Sequence, residues 1–340
     1  MLRALLYICI GLLVSTAKAQ DTLTHVHHQQ LMFWNVENAF WPENDSIHDD
    51  DEFTPDGLRH WSYGRMRQKL LQLTRVIVAA GDGRAPMVVG LAEVEGDSVM
   101  EYWTRHTPLW DQHYRYVITH GPDVRGIQTA LLYQPADFKL ISAEGHRVKV
   151  PADARPTREI LHAAGRLVSG DTLDVIVCHL PSRLGGVRHS RPSRDAAHTT
   201  LMNLADSLCD VRLRPNIVIM GDMNDVPSAR RSWWGDGFQN LMVPLQKSLG
   251  RHPSYYGSHK YQGVWAFLDQ FIVNREWLEA SDGSSANLRV SDPRSFSLPF
   301  MLVDDDSHLG HRPLRSYYGY QYEGGYSDHL PILLDLEINF

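Results

Sequence analysis

Five short polar motifs hold the side chains with chemical potential: Asn35-Val36-Glu37-Asn38, Leu91-Ala92-Glu93-Val94-Glu95, His179-Leu180-Pro181-Ser182, Gly221-Asp222-Met223-Asn224-Asp225 and Ser327-Asp328-His329-Leu330-Pro331. Most of them end an apolar, strand-like run, so their polar groups should gather at one edge of a sheet system. Carboxylates, carboxamides and two histidines gathered there supply hard oxygen ligands and proton-transfer groups, the equipment of metal-assisted phosphoester hydrolysis.

Each motif has a plain structural reading beside the chemical one. In Ile217 to Asp225 an apolar strand ends in Gly, Asp and Asn, a placement that lets short polar groups reach a cleft while Gly turns the backbone. An ordinary turn uses the same residues, so the motif gains weight from its company. Gly-Asp-x-x-Asp also occurs in calcineurin-like metallophosphoesterases, but these need an Asn-His pair, and none exists among the 18 histidines here. Glu93 follows the apolar run Val88-Val89-Gly90-Leu91-Ala92 and suits Mg²⁺, which prefers oxygen ligands. Glu95, two residues on, shares its face in extended geometry, and Glu93 is preferred because it lies nearer the strand end. Asn35 and Glu37 share a strand face by the same spacing. Asp269 stands alone in the apolar run Phe267 to Phe271. A buried lone carboxylate is costly unless paired, and His329 is the expected partner, whose ring Asp269 would orient.

The elements that must position these groups are short strands: 31–36, 87–91, 115–119, 127–133, 159–167, 173–178, 217–220, 267–273 and 332–338. Helical spacing appears at Met66, Leu70, Leu73, Val76 and Ile77, and again across Ala196, Thr200, Leu204 and Leu208. Many strands with few amphipathic helices imply packed sheets covered by helices. Long loops are expected over 44–61 and 281–326. Their acidic runs, Asp49 to Glu52 and Asp304 to Asp306, read as solvated faces without EF-hand spacing. Residues 1–19, with Arg3, the apolar run Ala4 to Val14 and Ala17-Lys18-Ala19, read as a signal peptide, leaving 20–340 as one domain. The expectation is an exported chain, periplasmic or secreted, without stable membrane insertion or an obligate protein partner. Cleavage would remove Arg3 and Lys18 from 33 basic residues against 40 acidic ones, changing the net charge from −7 to −9. That balance lowers the expectation of a duplex-DNA binder without speaking for one local cleft. Cys178 and Cys209, the two cysteines beyond residue 19, are expected as separate thiols, and His25, His27 and His28 as a polar tail.

The ordered set of motifs, from Asn35 to Pro331, resembles the endonuclease/exonuclease/phosphatase family, exported bacterial members in particular. The resemblance implies an α+β fold: a four-layer α/β/β/α sandwich with two central mixed sheets flanked by helices. It implies a Mg²⁺ site (Mn²⁺ as the alternative ion) with Glu93 as main ligand, Asn35 beside it and Asp328 as a neighbouring acidic ligand. Asp222 and Asn224 would handle the attacking water and the phosphate. Asp269 and His329 would form a dyad, and His179 would match a second histidine found in the deoxyribonuclease and sphingomyelinase branches. Gln128 stands where similar sequences carry an acid, which leaves His179 without that partner. The base role falls to His329 and the stabilising or acid role to His179.

Arg125, Arg183, Arg188, Arg191 and Arg194 are candidate phosphate contacts, since guanidinium groups clamp phosphate oxygens. A solvated basic loop is the other reading of Arg183 to Arg194. The cluster Tyr317, Tyr318, Tyr320, Tyr322 and Tyr326 fits a stacking platform for bases or a packed loop equally well. The expected function is an exported Mg²⁺-dependent nuclease or phosphodiesterase acting on nucleic acid. The alternatives are a phosphatase or sphingomyelinase-like diesterase on small or lipid phosphoesters, and a non-catalytic binding protein on the same scaffold.

Overall fold

A strand whose both faces are apolar must lie between two layers, and the first strand of this chain has that pattern. Leu31 and Phe33 point to one face and Met32, Trp34 and Val36 to the other, and all five are buried. The computed structural model describes residues 26–81, 83–183, 185–228, 233–250, 256–277 and 288–339, so the expected signal peptide and His25 lie outside the described residues.

The strands begin with β1 (Val26–Ala39), β2 (Val88–Val94), β3 (Arg115–Ile118), β4 (Gln128–Tyr133), β5 (Lys139–His146), β6 (Ile160–Arg166), β7 (Thr172–His179), β8 (Ile217–Asp222) and β9 (Phe238–Asn240). They continue with β10 (His259–Tyr261), β11 (Val264–Ala266), β12 (Asp269–Asn274), β13 (Leu288–Ser295), β14 (Leu302–Asp304), β15 (His311–Pro313), β16 (Tyr317–Tyr318), β17 (Gln321–Tyr322) and β18 (Ile332–Asn339). The helices are α1 (Tyr63–Ala80), α2 (Asp97–His106), α3 (Val187–Val211) and α4 (Met242–Ser248).

One six-stranded sheet has the order β13-β18-β1-β2-β4-β3 and the other β5-β6-β7-β8-β12-β9. Each is mixed, with one parallel pair: β1 with β2, and β7 with β8. Side-chain alternation sorts the core into three clusters. Leu31, Phe33, Val88 and Leu131 meet Val175, Val177, Val218, Met220 and Phe271 between the sheets. Met32, Trp34, Val89 and Leu91 pack outward against α1 and α2, through Met66, Leu70, Leu73 and Trp103. Ile176, Ile217 and Ile219 pack outward against Ala197, Leu201 and Leu208 of α3. These layers form the expected α/β/β/α sandwich. At roughly 1.5–3 kcal/mol for each large apolar side chain buried, the inter-sheet layer is a main source of stability. Ser62 caps α1 by accepting from the Arg65 amide.

Several expectations need correction. The 281–326 segment is no single loop, since it contains β13 and two hairpins, β14/β15 and β16/β17. Asp292, with φ +48°, and Pro293 sit at a bulge in β13 and erase its alternation. β5 was invisible for another reason: it is an edge strand with mostly exposed residues. His27 and His28 are not a loose tail, because both pair with the end of β18. Arg188, Arg191 and Arg194 lie in the first turns of α3 rather than in a loop. Within the acidic runs, Asp50 is buried and accepts from the Asp45 amide, while Asp305 pairs with Lys260 at 2.7 Å. Cys178 and Cys209 are both free thiols.

Two predictions follow from the second sheet. A Cβ on Gly221 would lie 2.3 Å from the Cys178 carbonyl oxygen of the adjacent parallel strand. Gly221→Ala should therefore cost at least about 1–3 kcal/mol in chemical denaturation. The second concerns Asp174, which is fully buried: burial raises its carboxyl, but hydrogen bonds from Arg212 and His162 outweigh this and hold it below the usual value. A depressed carboxylate stabilises the fold above the unfolded value near ~3.9, and that contribution disappears as pH falls through the lower folded value. The urea midpoint of Asp174→Asn should thus lie well below wild type at pH 7, with the gap narrowing below about pH 4.

Candidate active site

The alternation that builds the core also delivers the site. On β1 the inward series Leu31, Phe33 continues to Asn35; on β8 the series Val218, Met220 continues to Asp222. On β7 Val175 and Val177 lead to His179, and on β12 Phe271 and Val273 lead back to Asp269. Where apolar pairs give way to polar ones, the two sheets meet through side chains. Asn35 Nδ2 donates to Asp222 Oδ2 at 3.2 Å and to Glu93 Oε1 at 3.2 Å. The Glu37 amide donates to Asn35 Oδ1 at 3.0 Å, which fixes the orientation of that carboxamide.

Glu93 breaks the alternation rule. Ala92 faces the inter-sheet core and Leu91 the outer face, so a regular strand would point Glu93 outward. A register shift between Ala92 and Val94, with φ +66° at Glu93, turns the carboxylate into the cleft. Its Oε2 accepts from the Asn38 amide at 3.0 Å. Glu37, Asn38 and Asn224 also have positive φ, at +53°, +55° and +48°. Such backbone costs of order 1–3 kcal/mol per residue, and here it is concentrated at one cleft.

Asp222 is the centre of the arrangement. Its Oδ1 accepts from the Asn224 amide at 2.8 Å, and the Asn224 carboxamide donates to the Leu180 carbonyl at 2.9 Å. Its Oδ2 lies 3.6 Å from His179 Nε2 and 3.9 Å from His329 Nε2. Burial raises the Asp222 carboxyl to about 6, with His329 pulling the other way and Asp269 adding to the rise. His329 and Asp269 form the expected dyad, with Nδ1 donating to Oδ2 at 2.6 Å. Burial alone would lower His329, but Asp269, Asp222 and Asp328 outweigh it and hold the ring well above its ordinary value. His179 goes the opposite way: burial, Arg158, Arg125 and His329 hold it well below. Its Nδ1 is buried without a partner among the described residues, whereas Gln128 is engaged by Thr119, Gly121 and Gly126.

A second cluster of charge adjoins the first. Arg315 donates to Glu37 Oε1 at 2.9 Å and to Asp328 Oδ2 at 3.0 Å. Burial would raise Asp328, but Arg315, His329, His259 and Lys69 together hold it at about 2. Lys69, buried on α1, donates to Ser316 Oγ and the Tyr326 carbonyl. Among the described residues, two His and Asp groups are close enough to share a cation, His259 with Asp328 and His329, and Asp222 with Asp269 and His329.

All eight residues expected as catalytic or metal-binding, Asn35, Glu93, His179, Asp222, Asn224, Asp269, Asp328 and His329, fall in this region. The arginines divide. Arg125 borders it, donating to Asn38 Oδ1 at 3.3 Å. Arg183 and Arg194 instead pair with Asp225, Arg191 pairs with Asp195 along the helix, and Arg188 is exposed. Sequence reasoning missed Arg158, which ties Asp123 to the His179 and Leu180 carbonyls. It also missed Lys69, whose signal was a cation inside the apolar stripe of α1, and His259, whose ring lies 4.6 Å from that of His329. Of the tyrosines, Tyr317 and Tyr326 are buried, while Tyr318 and Tyr320 are exposed.

The profile of the Endonuclease/Exonuclease/phosphatase family matches residues 30–338, and the chain belongs to that family. Members of this family are generally phosphoester-hydrolysing enzymes that depend on divalent metals. Solved structures similar in fold include humanized D. rerio TDP2, with 15% identity, TM-score 0.54, and coverage of 91% of this chain and 98% of that one. The human Nocturnin catalytic domain with bound sulfate shows 17% identity, TM-score 0.52 and coverages of 93% and 97%. A family member from Bacteroides thetaiotaomicron shows 12% identity, TM-score 0.56 and coverages of 93% and 96%. No curated protein matches the chain.

The dyad gives a direct prediction. In metal-free protein the His329 imidazole should titrate well above 6.5, and Asp269→Asn should lower its pKa sharply in an NMR titration. A raised histidine stabilises the fold fully below about 6.5, and this is lost as pH rises through the folded value. Wild type should therefore lose its stability advantage over Asp269→Asn on the alkaline side.

Proposed function

We propose that the chain is an exported phosphodiesterase that cleaves nucleic acid with Mg²⁺ as its cation. One observation carries the reading: a buried carboxylate, Asp222, stands 3.6 Å from His179 Nε2 and 3.9 Å from His329 Nε2, and these two rings have unlike surroundings. His329 is braced by Asp269, while His179 lies beside Arg158 and Arg125 with no partner at Nδ1 among the described residues. A binding module has no use for that division, whereas in-line hydrolysis needs both a proton acceptor and a fixed positive charge.

Glu93 makes no ion pair with Arg or Lys among the described residues, and the groups facing it are a carboxamide, a backbone amide and neutral His179. No cationic side chain among them balances this carboxylate, so Glu93, with the Asp222 carboxylate nearby, would hold Mg²⁺, or Mn²⁺ in its place. Asn35 would join as a ligand through Oδ1 once its carboxamide rotates, since here Nδ2 faces both acids. Asp328 is the weaker ligand, because Arg315 already neutralises it. The cation would supply charge stabilisation on a phosphate oxygen.

The chain's own residues do the rest. Asp222, held by the Asn224 amide and kept as a carboxylate by the neighbouring cation, orients the attacking water and takes its proton. His329, charged and braced by Asp269, gives its Nε2 proton to the oxygen that leaves phosphorus as the P–O bond breaks, which offsets the proton taken from water. His179, neutral, is a second hydrogen-bonding group on the opposite side of Asp222. The sequence reading gives the base role to His329; the charge balance of the site favours Asp222 for it. Two neighbours support the substrate class: D. rerio TDP2 was solved with a single-strand DNA product, and Nocturnin with a sulfate anion.

The test is hydrolysis by the protein lacking residues 1–19, on plasmid DNA, a chromogenic phosphodiester, a chromogenic phosphomonoester and sphingomyelin. DNA and the diester should be cleaved with Mg²⁺ and spared with EDTA. Glu93→Ala, Asp222→Ala, His179→Ala and His329→Ala should each lower turnover by about 10²–10⁴-fold with unchanged circular dichroism. Cleavage of sphingomyelin or the monoester alone, or full activity in two of these variants, would contradict the reading.

A further inference from the structure

Beside the catalytic carboxylates lies a cavity of about 150 Å³, lined by Glu37, Asn38, Phe53, Arg59, Arg315 and Tyr317. Its aromatic side has the form of a box that could hold a quaternary ammonium group. That box is already filled. The Arg59 guanidinium lies 4.9 Å from the Phe53 ring centroid, 5.1 Å from that of Tyr317 and 5.3 Å from that of Tyr320.

Arg315, held by Glu37 and Asp328 and one-third exposed, faces the same cavity. Arg125 approaches from the Asn38 side, and Lys69 lies behind Ser316. These four cations stand against three acids, Glu37, Asp328 and the Glu52 that pairs with Arg59 at 3.1 Å. Glu93, which accepts from the Asn38 amide, is a fourth acid, so what distinguishes this polar cavity beside the reaction centre is its two guanidinium groups rather than a net charge. A choline headgroup would meet a guanidinium where it needs an open ring face, whereas an anion would meet the N–H groups left once Arg59 has engaged Glu52 and the Gly319 carbonyl and Arg315 has engaged Glu37 and Asp328.

We propose that this cavity is a second phosphate subsite, which takes the backbone phosphate next to the bond being cleaved. The proposal rests on the nucleic-acid reading above and narrows it: the preferred substrate carries at least two successive phosphodiesters. Arg59 is a specificity residue outside the catalytic group, and its task is binding rather than turnover.

The experiment compares the dinucleotide TpT with the trinucleotide TpTpT, which adds one phosphate. In wild type, kcat/KM for TpTpT should exceed that for TpT by at least about tenfold, beyond the statistical gain of a second bond, and mostly through KM. Arg59→Gln should remove most of that ratio while leaving kcat and the chromogenic diester rate unchanged. Equal kcat/KM for the two nucleotides in wild type overturns the proposal without any variant, and so does a ratio that survives in folded Arg59→Gln. Binding to the Glu93→Ala protein separates the subsite from the functional reading. Tighter binding of TpTpT by about tenfold supports the subsite even if neither nucleotide is cleaved, and equal binding overturns it.

Discussion

The Asp222 carboxylate is where the two sheets become one site. It ends a strand of the second sheet, and the carboxamide that reaches it, Asn35, comes from the first. Slipping β1 or β8 by one residue within its own sheet would turn one of these groups to the opposite face, because alternation has a period of two. The inter-sheet core therefore does more than stabilise the fold. Phe33, Met220, Val177 and Phe271 set the spacing at which Asn35, Asp222, His179 and Asp269 meet. Gly90 belongs to the same constraint, since a Cβ there would come within 2.6 Å of Met220 Sδ and 3.1 Å of the Phe33 ring.

Burial then converts proximity into chemistry. Carboxylates and imidazoles removed from water have protonation states set by neighbours rather than by bulk pH. Two buried histidines of identical intrinsic basicity diverge because one has Asp269 at its Nδ1, while burial lowers the other, which has arginines nearby and no partner at Nδ1 among the described residues. Arg315 and Lys69 do comparable work for the acids, holding Asp328 low, while burial keeps Glu37 near 7 despite them. The left-handed backbone at Glu37, Asn38, Glu93 and Asn224 adds local strain that the surrounding strands must hold in place.

Much of this was legible in the sequence, for a physical reason. Strand alternation is local, so an apolar run ending in Asp or His predicts both the strand and the direction of its final side chain. Asn35, His179, Asp222 and Asp269 were readable in that way, and a lone acid in an apolar strand pointed to its need for His329. Glu93 was readable only as a strand-end acid, because the bulge that turns it inward leaves no mark in residue types. The arginines after His179 show the limit from the other side. Their composition suggested a clamp, but the long-range pairing of Arg183 and Arg194 with Asp225 could not be read locally. Lys69 was available as a charged residue within an apolar helical stripe, and its partners lie some 250 positions away.

If a divalent cation serves this site as proposed, it belongs in the one cleft between the sheet edges and in none of the acidic runs outside it. Anomalous diffraction at the manganese edge from crystals grown with Mn²⁺ tests this directly. A peak within ligand distance of Glu93, on the side of Asn35 and Asp222, is the predicted result. Manganese bound along Asp49 to Glu52 or Asp304 to Asp306, with nothing at Glu93, would contradict it.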